Sequence, residues 1–504
     1  MKNSIFASAK KGIVSAVKAL LSNKVVLMFL ILCLFGICTT GKPLSYTVSE
    51  VFTRFGRNTF LVLALIIPVL AGLGLNFGIV VGAMAAQISI FWVVYWGFTG
   101  IGGLLLCFLI STPIAILLGY LVGRLYNKTK GSEMITGMVL GYFADGLYQF
   151  LFLFVIGGVI PLGNSSLLIS GGVGVKNTID LAGNLKYSLD NLSMLLLVRT
   201  AAVVYLAASA IAMIVRLMKS KSPDVKKTAI KMAACAAVFG LTFIPAVSGF
   251  MGTDRLLLLN AVELASLAAV VYAAGKFVIT KLIQKQDVNA KRLAAIAIVA
   301  VIAYALTYIQ AIYELLTAVL LPVATYALII LLCVFNRWIL STRLGQNMRT
   351  VGQSRTVANS SGIDVNKTRI IAMCISTVLA AWGQIIYLQN LGTFSTYGAH
   401  TMVGQYAIAA LLVGGASVQS ANNKHAILGV VLFHTLFVVA PLSAGNLFGS
   451  ALIGEYFRVF VCYGVIALSL AMHAWKTVIK PKVESTRVES KPPAEADTVE
   501  TAKQ

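Results

Sequence analysis

Apolar runs of membrane-crossing length recur along almost the whole chain, and this recurrence limits the possible folds more than any other feature. A bilayer-spanning helix needs about 20 mostly apolar residues. Such runs occupy 25–41, 59–75, 78–98, 101–123, 134–160, 191–215, 230–250, 256–280, 293–312, 316–336, 370–389, 404–418, 425–442 and 456–475. The short pair 59–75 and 78–98 also reads as one broken or re-entrant element. In hydrocarbon every backbone N–H and C=O must be paired within the protein, so runs of this length are read as helices. Only 11% of the residues are charged and the mean hydropathy is +0.89, against about 25% charged in soluble domains. The expected class is an all-α polytopic membrane protein with about 14 transmembrane helices.

The cations orient it. Cytoplasmic segments of membrane proteins carry the Lys/Arg excess. With the N-terminus inside, the inner segments are 1–24, 124–133, 216–227, 281–292, 337–369, 419–424 and 476–504, which hold 30 of the 40 Lys and Arg residues. The longest outer loop, 161–190, has only Lys176 and Lys186. Both termini are therefore expected in the cytoplasm. A net charge of +23 would suit nucleic acid only if a basic face were interleaved with aromatics. Here the cations sit in short clusters between apolar runs, so no nucleic-acid partner is expected, and membrane lipid is. Residues 1–24 read as a basic amphipathic lead-in on the membrane surface. Residues 477–504 read as a disordered tail, too polar to offset its ordering entropy.

Reactive chemistry is not visible. "GICTTGKP", Gly36 to Pro43, approaches a phosphate-binding loop, but Pro43 stands where such a loop needs a hydroxyl for magnesium and a helix start. The cysteines at 33, 38, 107, 235, 333, 374 and 462 are scattered, and none has zinc spacing. Histidines 400, 425, 434 and 473 are dispersed and are assigned to packing or surface roles. No catalytic residue, metal or cofactor is expected, and the chain is not read as an enzyme. Polar residues inside spans are costly and usually face a cavity or a partner helix. On that ground Asn76, Gln87, Asp145, Gln149, Gln384, Gln389 and Asn390 are candidate translocation-path residues. Asp145 or Glu263 could carry charge in an ion-coupled secondary transporter, the alternative reading.

One polar segment stands out between two apolar helices. "TRLGQNMRTVGQSRTVANSSGIDVNKTRIIAMCISTVLAAWGQIIYLQN" (342–390) resembles the permease subunits of ATP-binding-cassette importers for simple sugars, nucleosides and branched-chain amino acids. These are the type II, ribose-permease-like permeases. Their pattern there is roughly T-x-x-G, then a-x-G-x-N-x-x-A-A-x-x-x-G-I-x-V. Thr342, Gly345, Gly352, Ala358, Gly362, Ile363 and Val365 match it. Gln353-Ser354 stands near the usual Gly/Gln-Asn, and Asn359 replaces the second small residue. The segments "YGAHTMVGQYAIAALLVGGASV" (397–418) and "GLNFGIVVGAMAAQ" (74–87) are similar to two glycine-rich helices of the family. Ile79-Val80-Val81 departs from the acidic element that relatives often carry in the latter.

The resemblance implies a transmembrane subunit of an ATP-driven, binding-protein-dependent importer for a small polar nutrient, a simple sugar or nucleoside, in the inner membrane of a bacterium. It implies three protein partners: a cytoplasmic ATPase that hydrolyses the ATP, a second permease subunit (the same or a homologous chain) and an extracytoplasmic solute-binding protein. Residues 337–369 would be the coupling loop that docks on the ATPase, through Arg343, Gly345, Arg349, Gly352, Gln353, Arg355 and Gly362. The three arginines do not share one helix face, so a short helix broken at Gly352 and Gly362 is expected. The family core has about ten spans. The chain then divides into the first half of the core (25–160), an extracytoplasmic loop (161–190), an inserted four-helix block (191–312) and the second half of the core (313–476).

Overall fold

Leu44 to Phe448 form a bundle centred on one helix, Val365–Leu391, which packs on Gly100–Lys128, Ile79–Tyr95 and Leu44–Ala64. The computed structural model describes residues 24–471 apart from 130, 164–165, 170–172, 219–231, 234, 238, 279–289, 451, 461–462, 465–466 and 469–470. The expected lead-in, the expected tail, most of two expected inner loops and much of the span at 456–475 lie outside the described residues.

Eight helices among the described residues are long and apolar enough to cross a membrane. The number is nine if Leu293–Leu306 and Gln310–Thr317, bent by 89°, count as one span. Lys24–Thr39, Ile79–Tyr95 and Ala399–Val413 are shorter apolar helices. The chain is an all-α polytopic membrane protein. Among the described residues the strands are three-residue pieces in two antiparallel ribbons, Thr178–Asp180 with Thr393–Ser395 and Arg255–Leu257 with Leu320–Pro322.

Burial divides the helices into two kinds. Val365–Leu391 is 61% buried over its apolar window, whereas Met194–Ile214 is 6% buried and Leu258–Val278 is 17% buried. The first kind is rich in Ala, Gly and Ser, which let backbones approach. The second turns leucines, valines and tyrosines outward, as a lipid-facing helix does. Gly414 and Gly429 show the close approach at its limit. A Cβ on Gly429 would overlap the Ala410 carbonyl, and one on Gly414 would overlap the carbonyl of His425. Helices Ala399–Val413 and Asn423–Phe448 meet backbone to backbone there.

The expected breakage near 70–78 is present, but the preceding helix begins at Leu44 rather than at 59. Glu50, Arg54 and Arg57 lower the hydropathy of its first half. They are nevertheless engaged: Arg54 pairs with Glu50 one turn earlier and lies 5.2 Å over the Phe437 ring. Helix Leu44–Ala64 then continues into Ile66–Leu70, and left-handed Gly72 and Gly74 turn the chain before Ile79. Gly429→Ala is expected to lower stability by about 1–3 kcal/mol through backbone overpacking. Thermal unfolding of the detergent-solubilised chain would read this as a reduced midpoint.

Candidate functional site

The polar segment after Ser341 folds into two short helices, Arg343–Gln353 and Arg355–Ser360. Each start is set by an ordinary capping residue. The Thr342 hydroxyl accepts from the Gly345 N–H, Ser354 accepts from Val357, and Asp364 then caps Val365–Leu391 by accepting from Lys367. The break falls at Ser354, not at Gly352, which lies inside the first helix. Gly352 packs on the Leu70 carbonyl and on Gly72, leaving no room for a Cβ. Its role is therefore close approach rather than interruption. Gly362, with φ of 75°, makes the expected turn, and Gly345 lies against the Ile339 carbonyl and Leu340.

The three arginines divide. Arg343 and Arg349 are exposed, as is Gln353. Arg355 turns inward and shares one oxygen, Glu133 Oε1, with Arg369. Arg369 is fully buried, its Nη2 lies 2.6 Å from that oxygen, and it also reaches the Tyr126 carbonyl. The other Glu133 oxygen accepts from the Gly131 N–H at 3.0 Å. One carboxylate thus ties the start of helix Glu133–Phe150 to helix Arg355–Ser360 and to the central helix. Nothing in the spacing of the sequence marks Glu133, because its partners lie 222 and 236 residues away.

A second polar cluster forms inside the bundle. His400 Nδ1 lies 2.9 Å from Gln87 Oε1, and Nε2 lies 2.6 Å from Asp145 Oδ1. The Gln149 amide donates to the other Asp145 oxygen at 3.0 Å, and the Tyr148 ring lies tilted at 55° with its centroid 4.8 Å from that of the imidazole. Asp145 lies twelve residues from the Glu133 end of its helix, about 18 Å along the axis. An ionised Asp145 accepts from Nε2. Nδ1 then either donates to the Gln87 carbonyl, giving an imidazolium, or accepts from a rotated Gln87 amide, leaving the ring neutral. Gln87 and His400 are buried, while Asp145 is 20% exposed and Gln149 half-buried. The cluster therefore offers both acceptors and donors where this lightly buried helix packs on the bundle.

Gln87, Asp145 and Gln149 are thus brought together by His400, which sequence reasoning had left to packing. The other path candidates lie elsewhere. Asn76 contacts Ser376 and Tyr126 at 3.5 and 3.4 Å. Gln384 is buried with neither amide atom paired among the described residues. Gln389 and Asn390 bind Asp190 at 3.1 and 2.6 Å, near the opposite end of the central helix. Glu263, on Leu258–Val278, joins neither cluster nor any ion pair among the described residues. Among the same residues no group of His, Cys, Asp and Glu has the arrangement to hold a metal ion.

Removing one partner from a buried ion pair leaves an uncompensated charge and costs about 3–5 kcal/mol. Glu133→Gln should therefore cost on that order by stranding Arg369, and Arg355→Gln much less because Arg355 is partly exposed. Paired thermal unfolding of the two variants would check the difference.

Comparison with known proteins agrees with the architecture. The family described as "Branched-chain amino acid transport system / permease component" matches residues 150–470, well over half of the chain. The autoinducer 2 import system permease protein LsrD of Escherichia coli (strain K12) is 29% identical over 161 residues, covering 30% of this chain and 46% of that protein. The LsrD proteins of Escherichia coli O157:H7 and Shigella flexneri match over the same shares. The chain therefore spans about half the length of the curated relatives it matches. No solved structure matches it. By the extent of the family match, the chain belongs to the branched-chain amino acid transport system permease family, whose members are transport permease components rather than enzymes.

Proposed function

We propose that the chain is the membrane subunit of an ATP-driven, binding-protein-dependent importer for a small polar solute in a bacterial inner membrane. The observation that carries this reading is the pair of short helices at 343–360. Arg343, Arg349 and Gln353 point outward from it while Arg355 and Gly352 fix it to the bundle. A polar knob held rigidly between two apolar helices can transmit a push from a cytoplasmic partner. A mobile loop could not, because a partner shifts a conformational balance only through differential contacts with two states. The charge pattern puts this end of the bundle in the cytoplasm, where an ATPase subunit would dock.

In this reading Arg343, Arg349 and Gln353 contact the ATPase, Gly362 shapes the loop, and Gly345, Gly352 and Arg355 hold it in place. Solute would pass beside the lightly buried helix Glu133–Val159, near a second permease subunit, after delivery by an extracytoplasmic binding protein. His400, Asp145, Gln149 and Gln87 offer mixed donors and acceptors there. Hydroxyl groups both donate and accept, so this set suits a sugar or a nucleoside, and the LsrD relatives are import permeases by name. Both termini are inside, and the 14-span count with a four-helix block at 191–312 inserted into a ten-span core remains part of the proposal. The lightly buried helices Met194–Ile214 and Leu258–Val278 support a peripheral place for that block.

A second reading, ion-coupled transport, draws on the His400–Asp145 pair, which could carry a proton within the bundle. Uptake into vesicles separates the two. The importer requires the ATPase and binding protein and survives a protonophore, whereas the ion-coupled transporter is stopped by the protonophore and needs neither partner. Arg349→Glu should abolish co-purification of the ATPase while leaving membrane insertion and the melting midpoint unchanged. Asp145→Asn should leave co-purification intact and lower uptake at least about tenfold, the scale of one lost charge-assisted hydrogen bond. Undiminished ATPase capture by Arg349→Glu would remove the docking assignment.

A further inference from the structure

The end of the bundle opposite Glu133 contains a small polar cavity of about 190 Å³, whose wall includes Arg57, Tyr187, Asp190, Arg255, Tyr326 and Asn390. It is separate from the His400 cluster and from the coupling segment. Two guanidinium groups reach it from different parts of the chain: Arg57 from helix Leu44–Ala64, and Arg255 from the ribbon preceding Leu258–Val278. Neither has a carboxylate partner among the described residues. Arg57 gives its Nε proton to Asn390 Oδ1 at 2.9 Å, and its two terminal nitrogens take no protein acceptor among the described residues. Arg255 makes one long contact to Asn191, 3.5 Å, and lies 5.2 Å over the Tyr187 ring.

Asp190 does not serve these arginines. It is 1% exposed, and it accepts from the Thr325 hydroxyl and from the Gln389 and Asn390 amides. The wall therefore keeps one net positive charge and two guanidinium forks with donors to spare. Tyr187 adds a second, independent sign. It is the only non-glycine among the described residues with a positive φ, 56°, a conformation costing about 1–2 kcal/mol for an L-residue. Such strain persists only where the surroundings over-determine it, commonly at ligand sites. Here a backbone bond to the Gln389 carbonyl holds the residue, with its ring beneath Arg255.

We infer that this cavity binds a small oxyanion, a carboxylate or phosphate group held between Arg57 and Arg255. Planar guanidinium forks match both groups through paired, charge-assisted hydrogen bonds, and the volume accommodates either group together with water. Because the two arginines come from separate parts of the chain, the bound anion ties the 255–257 ribbon to helix Leu44–Ala64.

The test uses the full chain purified in phospholipid-free detergent, with thermal unfolding followed against inorganic phosphate or acetate at constant ionic strength set by chloride. Preferential binding to the folded state should raise the midpoint by about 2 °C or more at saturation. The Arg255→Gln variant, which gives up one long hydrogen bond and one ring contact, should keep the starting midpoint to within about 1 °C and lose the rise. Arg255→Lys should retain part of it, and Arg57→Gln should lose it as well. A rise given by phosphatidylglycerol but by neither free anion supports the same oxyanion site and identifies its source as a lipid headgroup. The absence of a rise with all three additives overturns the inference, as does an equal rise in Arg255→Gln.

Discussion

A buried cation at the margin of a bundle this apolar has to be neutralised, and Glu133 neutralises Arg369. The arginine is fully buried with two of its nitrogens unpaired among the described residues, so the carboxylate carries most of the compensation. Burying the pair is not in itself a gain, since desolvation offsets much of the attraction. What the pair provides is position: any displacement of helix Val365–Leu391 relative to Glu133–Phe150 strands a charge. Arg355 on the same oxygen extends that positional constraint to the short helices at 343–360, and Gly352 against Leu70 and Gly72 completes it sterically.

The far end of the central helix is fastened by different chemistry. Gln389 lies twenty residues beyond Arg369, about 30 Å along the axis, close to the thickness of a hydrocarbon core. There Asp190 is held by neutral donors only, Thr325, Gln389 and Asn390, while the nearby Arg57 and Arg255 have no carboxylate partner among the described residues. One end thus has two cations on one anion, and the other an anion without a cation. A transporter that alternates access must change packing between two such ends. At the ion-paired end two cations must move with one carboxylate, which suits the segment proposed to receive force.

The membrane class, most of the spans and the isolation of the 342–365 segment were legible from local composition, because lipid imposes its requirements locally and uniformly. Helix starts were less legible. Leu44 was missed because Glu50, Arg54 and Arg57 lower hydropathy, although Arg54 spends its charge on Glu50 and its face on Phe437. Gly352 was identified as special but given the wrong reason, since a glycine that breaks a helix and one that lets helices touch look alike in sequence. Glu133 and His400 were missed for another cause. Their partners are hundreds of residues distant, and a single acid or histidine carries no mark of what the fold will bring to it.

The same limitation explains the polar residues of the spans. Seven were singled out by cost alone, and cost does not distinguish reasons for bearing it. Gln389 and Asn390 compensate Asp190, and Asn76 bridges Ser376 and Tyr126. Gln149 reaches Asp145 one turn on, and His400 joins Gln87 to that carboxylate. A solute crossing the bundle needs groups that can exchange partners, which excludes donors already committed to a buried carboxylate. The Asp145 carboxylate, one-fifth exposed and bonded to an imidazole and a neutral amide, retains that freedom, so the proposed path keeps three of the seven residues, Gln87, Asp145 and Gln149, and adds His400.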